Sequence, residues 1–217
     1  VPFYALVPSA LTLNLFQALF MALGALPVYG IARDRFDGSR LAGLGWATAG
    51  AMLAVMFGGI GSAKGIRIAA SEAAGAVAEK PELFGKALVL AALPGTQGFY
   101  SFVIMFMIAI FGGMLGTVKI SPILGVCYFF IGLLAGIVEW RSAINQGEVS
   151  AASINLVTKR PEESGRAILF PVLVETYAVV ALLAAILLIV FLSDVIEYVP
   201  VEELVKPAAA AATGTPQ

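Results

Sequence analysis

The sequence contains no histidine and only one cysteine, which removes several kinds of chemistry. Zinc sites built from Cys and His, and nucleophiles activated by His, need residues that are missing here. Cys127 is alone in an apolar run and has no partner for an internal disulfide. The phosphate-binding spacing Gly-x4-Gly-Lys-Ser/Thr is also absent. We therefore expect no catalytic site within this chain.

Charge is scarce as well. Only 12% of the 217 residues are charged, 60% are hydrophobic, and the net charge is −1. A soluble domain of this size has too little interior to bury that much apolar surface, so the sequence predicts an integral, multi-pass membrane protein. Acids and bases occur in short scattered clusters rather than in a basic patch, so we expect no nucleic-acid partner.

Hydropathy predicts an all-α membrane protein. Five apolar runs reach the ~20 residues that a spanning helix needs. They cover residues 5–30, 43–77, 83–114, 121–157 and 165–194. We divide the chain accordingly into an extra N-terminal hydrophobic helix with a polar loop (1–42), a first hairpin (43–115), a second hairpin (116–195) and a flexible C-terminal tail (196–217).

The two hairpins are internal repeats. Sliding the chain by 80 residues places Lys80-Pro81-Glu82 on Arg160-Pro161-Glu162, and Thr96 on Thr176. Because the offset spans two helices, both copies cross the membrane in the same direction, an arrangement that suits a ring. The bases near both Pro-containing loops predict that these loops are cytoplasmic.

Small residues that favour close helix packing crowd the first helix of the first hairpin, at Gly50, Gly58, Gly59, Gly61, Gly65 and Gly75.

Glu175 is the most informative polar residue. It lies near the middle of an otherwise charge-free run from Ala167 to Ser193 that is long enough to cross a membrane. An ionised carboxylate costs several kcal/mol at that depth, so Glu175 is a candidate functional group that needs partners. The corresponding position of the first hairpin is Gly95, so two hairpins carry one carboxylate.

The partners of Glu175 are predicted from depth along the helices. Gln97 is 17 residues after Lys80, Gln146 is 13 before Lys159, and Glu175 is 15 after Arg160. At ~1.5 Å rise per residue all three lie at similar depth. Pro94 is expected to kink the third run and loosen nearby carbonyls. Thr96 and Tyr100 follow on one face of that helix.

This set of oxygens favours Na⁺ over H⁺ as the bound ion. Hard cations want several oxygen ligands, whereas a proton needs only the carboxylate. Tyr100 is placed to hold Glu175 in position. For any one Gln or Thr, a simple hydrogen bond between helices is the competing interpretation.

Glu139 and Arg141 form a second polar feature in an otherwise apolar helix. Mutual charge neutralisation, within the chain or with a neighbouring subunit, is the first interpretation. A polar access route to the site is the alternative.

Several motifs together resemble the proteolipid (c or K subunit) of the V-type ATPase membrane rotor, and the resemblance is to its sodium-translocating bacterial members. The matching segments are Gly-Ile-Gly-Ser-Ala-Lys-Gly at 59–65, Leu-Pro-Gly-Thr-Gln-Gly at 93–98, Gln146-Gly147, Lys-Arg-Pro-Glu at 159–162 and Val-Glu-Thr-Tyr-Ala at 174–178.

The resemblance implies a ring of identical subunits in the bacterial plasma membrane, surrounded by lipid. The ring turns against a stator of the a/I type and is joined to central-stalk subunits. ATP hydrolysis by other subunits drives the movement of Na⁺. The family's ion ligands correspond to the Leu93 carbonyl, Thr96, Gln97, Gln146 and Glu175, with Tyr100 bonding the carboxylate.

Two alternatives stay open on the sequence alone. The ring can carry H⁺ on Glu175, with the other oxygens as hydrogen-bond partners. A structural or channel-forming oligomer built on the repeat is a further candidate, although it leaves the polar convergence around Glu175 without a role.

Overall fold

The computed structural model describes residues 38–115 and 120–195, which fold into helices and turns without any strand. The α-helices are α1 (Gly38–Glu79), α2 (Phe84–Ala92), α3 (Thr96–Phe111), α4 (Pro122–Lys159), α5 (Ser164–Ala167) and α6 (Leu169–Val195). Short 3₁₀ turns at Pro81–Leu83, Leu93–Gly95 and Pro161–Glu163 connect them.

Four helical segments of the described residues are long and apolar enough to cross a membrane. They are Ala42–Glu79, Pro81–Phe111, Pro122–Lys159 and Pro161–Val195. The all-α membrane fold class is thereby confirmed. The predicted N-terminal helix at 5–30 and the tail at 196–217 lie outside the described residues.

The two long helices α1 and α4 run side by side in the same direction. Gly43 lies beside Ser121, Gly50 beside Phe129, and Gly65 beside Ala143, so residue numbers rise together along both helices. The second helix of each hairpin returns antiparallel, as the hydrogen bonds from Gln146 to Pro171 and from Tyr128 to Ile189 show for α4 and α6. The hairpins therefore cross the membrane as parallel copies.

Glycines let α1 and α4 approach closely. A Cβ atom at Gly61 would lie 2.6 Å from the Cα of Trp140, and one at Gly50 would lie 2.5 Å from the Cα of Phe129. Backbone fills the space where side chains would stand, which is how small residues stabilise helix pairs in lipid. Gly75 differs from the others, because nothing lies within 4 Å of its Cβ position in the described part of the chain.

The two Pro-containing loops meet at one end of the molecule. Lys80 Nζ donates a hydrogen bond to the carbonyl of Thr158 at 2.5 Å, and Lys86 Nζ donates to the carbonyl of Pro161 at 2.9 Å. Each lysine thus ties the first hairpin to the end of the second. These contacts hold the two hairpins in register, so that their midpoints lie at the same depth.

Candidate functional site

The carboxylate of Glu175 is held by donors from two other helices. Tyr100 on α3 donates its hydroxyl to Oε1 of Glu175 at 2.7 Å. Gln146 on α4 donates from Nε2 to Oε2 of Glu175 at 3.3 Å. Both carboxylate oxygens are therefore engaged, and the two bonds fix the position of the side chain on α6.

A second layer of amides lies behind this carboxylate. Gln97 Nε2 donates to Oε1 of Gln146 at 2.6 Å and to Oγ of Ser142 at 3.3 Å. Gln146 also donates to the carbonyl of Pro171 at 3.0 Å. Both glutamine side chains are 0% exposed. Because a buried amide is costly to leave unpaired, this connected arrangement fixes both side chains.

The break between α2 and α3 supplies the remaining oxygens. Pro94 has no N–H to continue the helix, and residues Leu93–Gly95 form a 3₁₀ turn at this point. The carbonyl of Leu93 accepts the Thr96 hydroxyl at 3.0 Å, and the same hydroxyl lies 3.3 Å from Oε1 of Gln97. The broken helix therefore presents a carbonyl, a hydroxyl and an amide oxygen at one depth.

The structure brings together the residues that were predicted from their depth in the membrane and from their shared helix face. Gln97, Gln146, Tyr100 and Glu175 are joined by direct hydrogen bonds, and Thr96 connects Leu93 to Gln97. Their role as ion ligands stays a prediction.

Ser142 is a member of the cluster that sequence reasoning missed. Its Oγ accepts from Gln97 at 3.3 Å and lies 3.4 Å from the carbonyl of Val174. The signal was its position four residues before Gln146, which places both side chains on one face of α4.

The site lies at the outer surface of the four-helix unit rather than deep within it. Glu175 is half-buried, while Leu173 and Tyr177 on either side of it are 64% and 74% exposed. No basic side chain of the described residues forms an ion pair with Glu175. Since a bare carboxylate is costly in lipid, the arrangement calls for a cation or a proton when this surface faces the membrane.

The chemistry of the donors limits which ions fit. No cluster of three or more His, Cys, Asp or Glu side chains that can hold a metal ion occurs in residues 38–115 and 120–195. The available oxygens are one carboxylate, two amides, one hydroxyl and one backbone carbonyl. A single negative charge with neutral oxygens suits a monovalent hard cation, and broken helices offer such carbonyls to Na⁺ in other membrane proteins.

Glu139 and Arg141 do not form an ion pair with each other among the described residues, contrary to the first interpretation as it applies within one chain, while pairing with a neighbouring subunit stays a prediction. Glu139 is 0% exposed and neither of its oxygens has a hydrogen-bond partner among the described residues. Arg141 lies on the exposed surface of α4. Residues two apart on a helix point to different sides, so the two charged groups are separated.

Comparison with known proteins agrees with the repeat and the motifs. The chain matches the family of the ATP synthase C subunit twice, over residues 49–108 and 129–188, which together make up more than half of its length. The two matches start 80 residues apart, the same offset as the internal repeat.

Two relatives support the assignment. The K subunit of the V-type sodium ATPase of Enterococcus hirae is 40% identical over 150 residues, covering 68% of this chain and 92% of that protein. The K subunit of the A-type ATP synthase of Methanocaldococcus jannaschii is 41% identical over 141 residues, covering 65% of this chain and 60% of that protein. The chain belongs to the family of the ATP synthase C subunit, as the resemblance of its motifs to the rotor proteolipids predicted.

Proposed function

We propose that this chain is a rotor-ring protomer of a V-type ATPase and that it carries Na⁺ across a bacterial plasma membrane. The observation that carries the proposal is the position of Glu175. Its carboxylate is held by Tyr100 and Gln146 at the outer surface of the four-helix unit, without an ion pair among the described residues. ATP hydrolysis takes place in other subunits, and this chain supplies the ion site.

Sodium is proposed as the transported substrate because more oxygen atoms surround Glu175 than the binding of a proton to its carboxylate requires. The ligands are the Leu93 carbonyl, Thr96, Gln97, Gln146 and Glu175. In the present arrangement the amide nitrogen of Gln146 faces Glu175. Half a turn of that amide, together with the same turn of the Gln97 amide that now donates to it, puts the Gln146 oxygen there instead, so that this oxygen can bind a cation. The name of the Enterococcus hirae relative, which is part of a sodium ATPase, supports the same ion.

The transport cycle follows from the charge of the site. With Na⁺ bound, Glu175 and the ion sum to zero charge and the protomer can face hydrocarbon at low cost. At a stator of the a/I type, a basic residue competes for the carboxylate and releases the ion. The ring then turns by one protomer and the next site repeats the exchange.

The outer surface of the protomer fits a ring surrounded by lipid. Large apolar side chains on α3 and α6 are exposed, including Phe99, Phe102, Phe106, Leu187 and Phe191. A monomeric soluble protein rarely exposes so many apolar groups. Identical protomers and lipid acyl chains are the partners that these side chains suit, and the central-stalk subunits bind the ring at one end.

Loss of a single neutral ligand should weaken sodium binding without preventing assembly. We expect Gln146→Leu and Thr96→Val each to lower Na⁺ affinity about ten-fold or more, since each removes an oxygen from the site. The measurement is equilibrium binding of radioactive sodium to the purified ring. Thr176→Val is the matched control, because Thr176 is the repeat counterpart of Thr96, also bonds the carbonyl three residues back, and is exposed.

Unchanged sodium affinity in both Gln146→Leu and Thr96→Val would remove these residues from the site. If the wild-type ring binds no sodium and its ATPase activity is indifferent to sodium, the transported ion is a proton on Glu175. The hydrogen bonds around Glu175 then serve to position the protonated carboxyl.

Removing the hydroxyl of Tyr100 tests how the carboxylate is held. We expect Tyr100→Phe to keep the ring intact and to lower Na⁺ affinity by about five- to fifty-fold, because Oε1 of Glu175 loses its 2.7 Å donor. Tyr177→Phe is the control, since this exposed tyrosine is two residues from Glu175. Equal sodium affinities of the two variants would show that the Tyr100 hydroxyl does not position the carboxylate.

A further inference from the structure

Glu139 is a second carboxyl group in the protomer, and the proposed transport cycle does not use it. Its side chain is 0% exposed, and both of its oxygens lack a hydrogen-bond partner among the described residues. It lies on α4 between two packed faces. Gly136 and Trp140 meet α1 at Ala54 and Gly61, while Ser142 bonds the Val174 carbonyl of α6. Glu139 is therefore enclosed within the bundle.

The described residues around Glu139 offer it no positive charge. From α1, the nearby positions are glycine and alanine, and the bases Lys64 and Arg67 are exposed on that helix's outer surface. From α3, the titratable group that interacts with Glu139 is Tyr100. Ser101 of the same helix packs against Gly58 of α1, and its hydroxyl also lacks a partner among residues 38–115 and 120–195. From α6, the charged group that acts on Glu139 is Glu175, and the two negative charges repel each other.

We propose that Glu139 is a second proton-binding site and that it holds its proton while Glu175 binds and releases the transported cation. An isolated charge in a low-dielectric interior is so costly that the group takes up a proton instead. Because a protonated Glu139 is neutral, it adds no second negative charge near Glu175. Each protomer then presents the cation with one carboxylate charge.

The first test is the carbonyl stretching band of a protonated carboxylic acid in the infrared spectrum of the purified ring. The sample is saturated with Na⁺ at mildly alkaline pH, where exposed carboxyl groups are ionised. We expect a band that shifts in heavy water, is lost in Glu139→Gln and is retained in Glu175→Gln. Absence of this band in both the wild type and Glu175→Gln overturns the proposal. The Glu175→Gln protein keeps the test valid if Glu139→Gln does not assemble.

The second test uses the sodium affinity of Glu139→Gln. Replacing a neutral carboxyl by its neutral isostere should change Na⁺ affinity by less than about three-fold. If Glu139 is ionised, the same substitution removes a nearby negative charge and should weaken Na⁺ binding about ten-fold or more. That second result contradicts the proposal.

The infrared test is independent of the proposed sodium transport. Sodium binding that survives in Glu175→Gln contradicts the sodium site and leaves the assignment of the band to Glu139 untouched. Loss of sodium binding in Glu175→Gln together with a missing Glu139 band contradicts only the second proton site.

Discussion

Glu175→Gln is expected to abolish sodium binding and sodium-coupled ATP hydrolysis. Glutamine keeps the shape of the side chain and can still pair with Tyr100, so the fold should be preserved. It carries no charge, however, and a cation bound only by neutral oxygens at a lipid-facing surface remains an uncompensated charge that is costly by several kcal/mol. The expected loss of affinity is at least about a hundred-fold.

The measurement is sodium transport by the complete ATPase reconstituted in vesicles, with the variant as its ring protomer. Glu148→Gln is the matched control, since it removes the same charge from an exposed position on α4. Transport that persists in Glu175→Gln would contradict the assignment of the ion site. Equal losses in both variants would point to a general effect of charge on the ring.

Gly61→Leu is expected to prevent assembly of the ring, and Gly61→Ala to lower its stability by about 1–3 kcal/mol. Even a Cβ at this position would lie 2.6 Å from the Cα of Trp140 and 2.7 Å from its carbonyl oxygen. A backbone atom cannot move aside as a flexible side chain can. The helices α1 and α4 must therefore separate along their length, and the amide and carboxylate layers at the site shift with them.

Gly75 provides the control within the same helix. Nothing in the described residues lies within 4 Å of its Cβ position, so Gly75→Ala adds a methyl group without a clash. Alanine also favours helix over glycine by up to ~1 kcal/mol. The thermal stability of the ring in detergent should fall in Gly61→Ala and stay level or rise in Gly75→Ala. A fall of the same size in both variants would mean that close packing at Gly61 is not what the glycine provides.

The depth of the polar residues could be predicted from the sequence because helix rise is constant. Counting from the charged loop ends placed Gln97, Gln146 and Glu175 at one level, and their hydrogen bonds in the structure agree with that placement. The break at Pro94 follows from the missing N–H of proline. The internal repeat likewise indicated two parallel hairpins.

Which way the side chains face could not be predicted in the same manner. The burial of Glu139 depends on how α4 packs against α1 and α6. Glu139 and Arg141 are close in sequence, but the rotation of the helix turns Arg141 to the exposed side of α4. Gly75 resembles the packed glycines in sequence but lies on the exposed side of α1, whereas Ala73 and Ala76 on the other side of that helix are buried against α4. These features depend on helix-to-helix geometry that local sequence does not contain.

The most direct test of the account is reaction of the purified ring with a carboxyl-modifying carbodiimide, with and without sodium, followed by mapping of the modified residue. We predict modification of Glu175, which is half-buried, with suppression by sodium, and no modification of the enclosed Glu139. Modification of Glu175 that is indifferent to sodium would contradict the sodium site and favour a proton. A ring in which Glu175 does not react at all would contradict its role as the ion carrier.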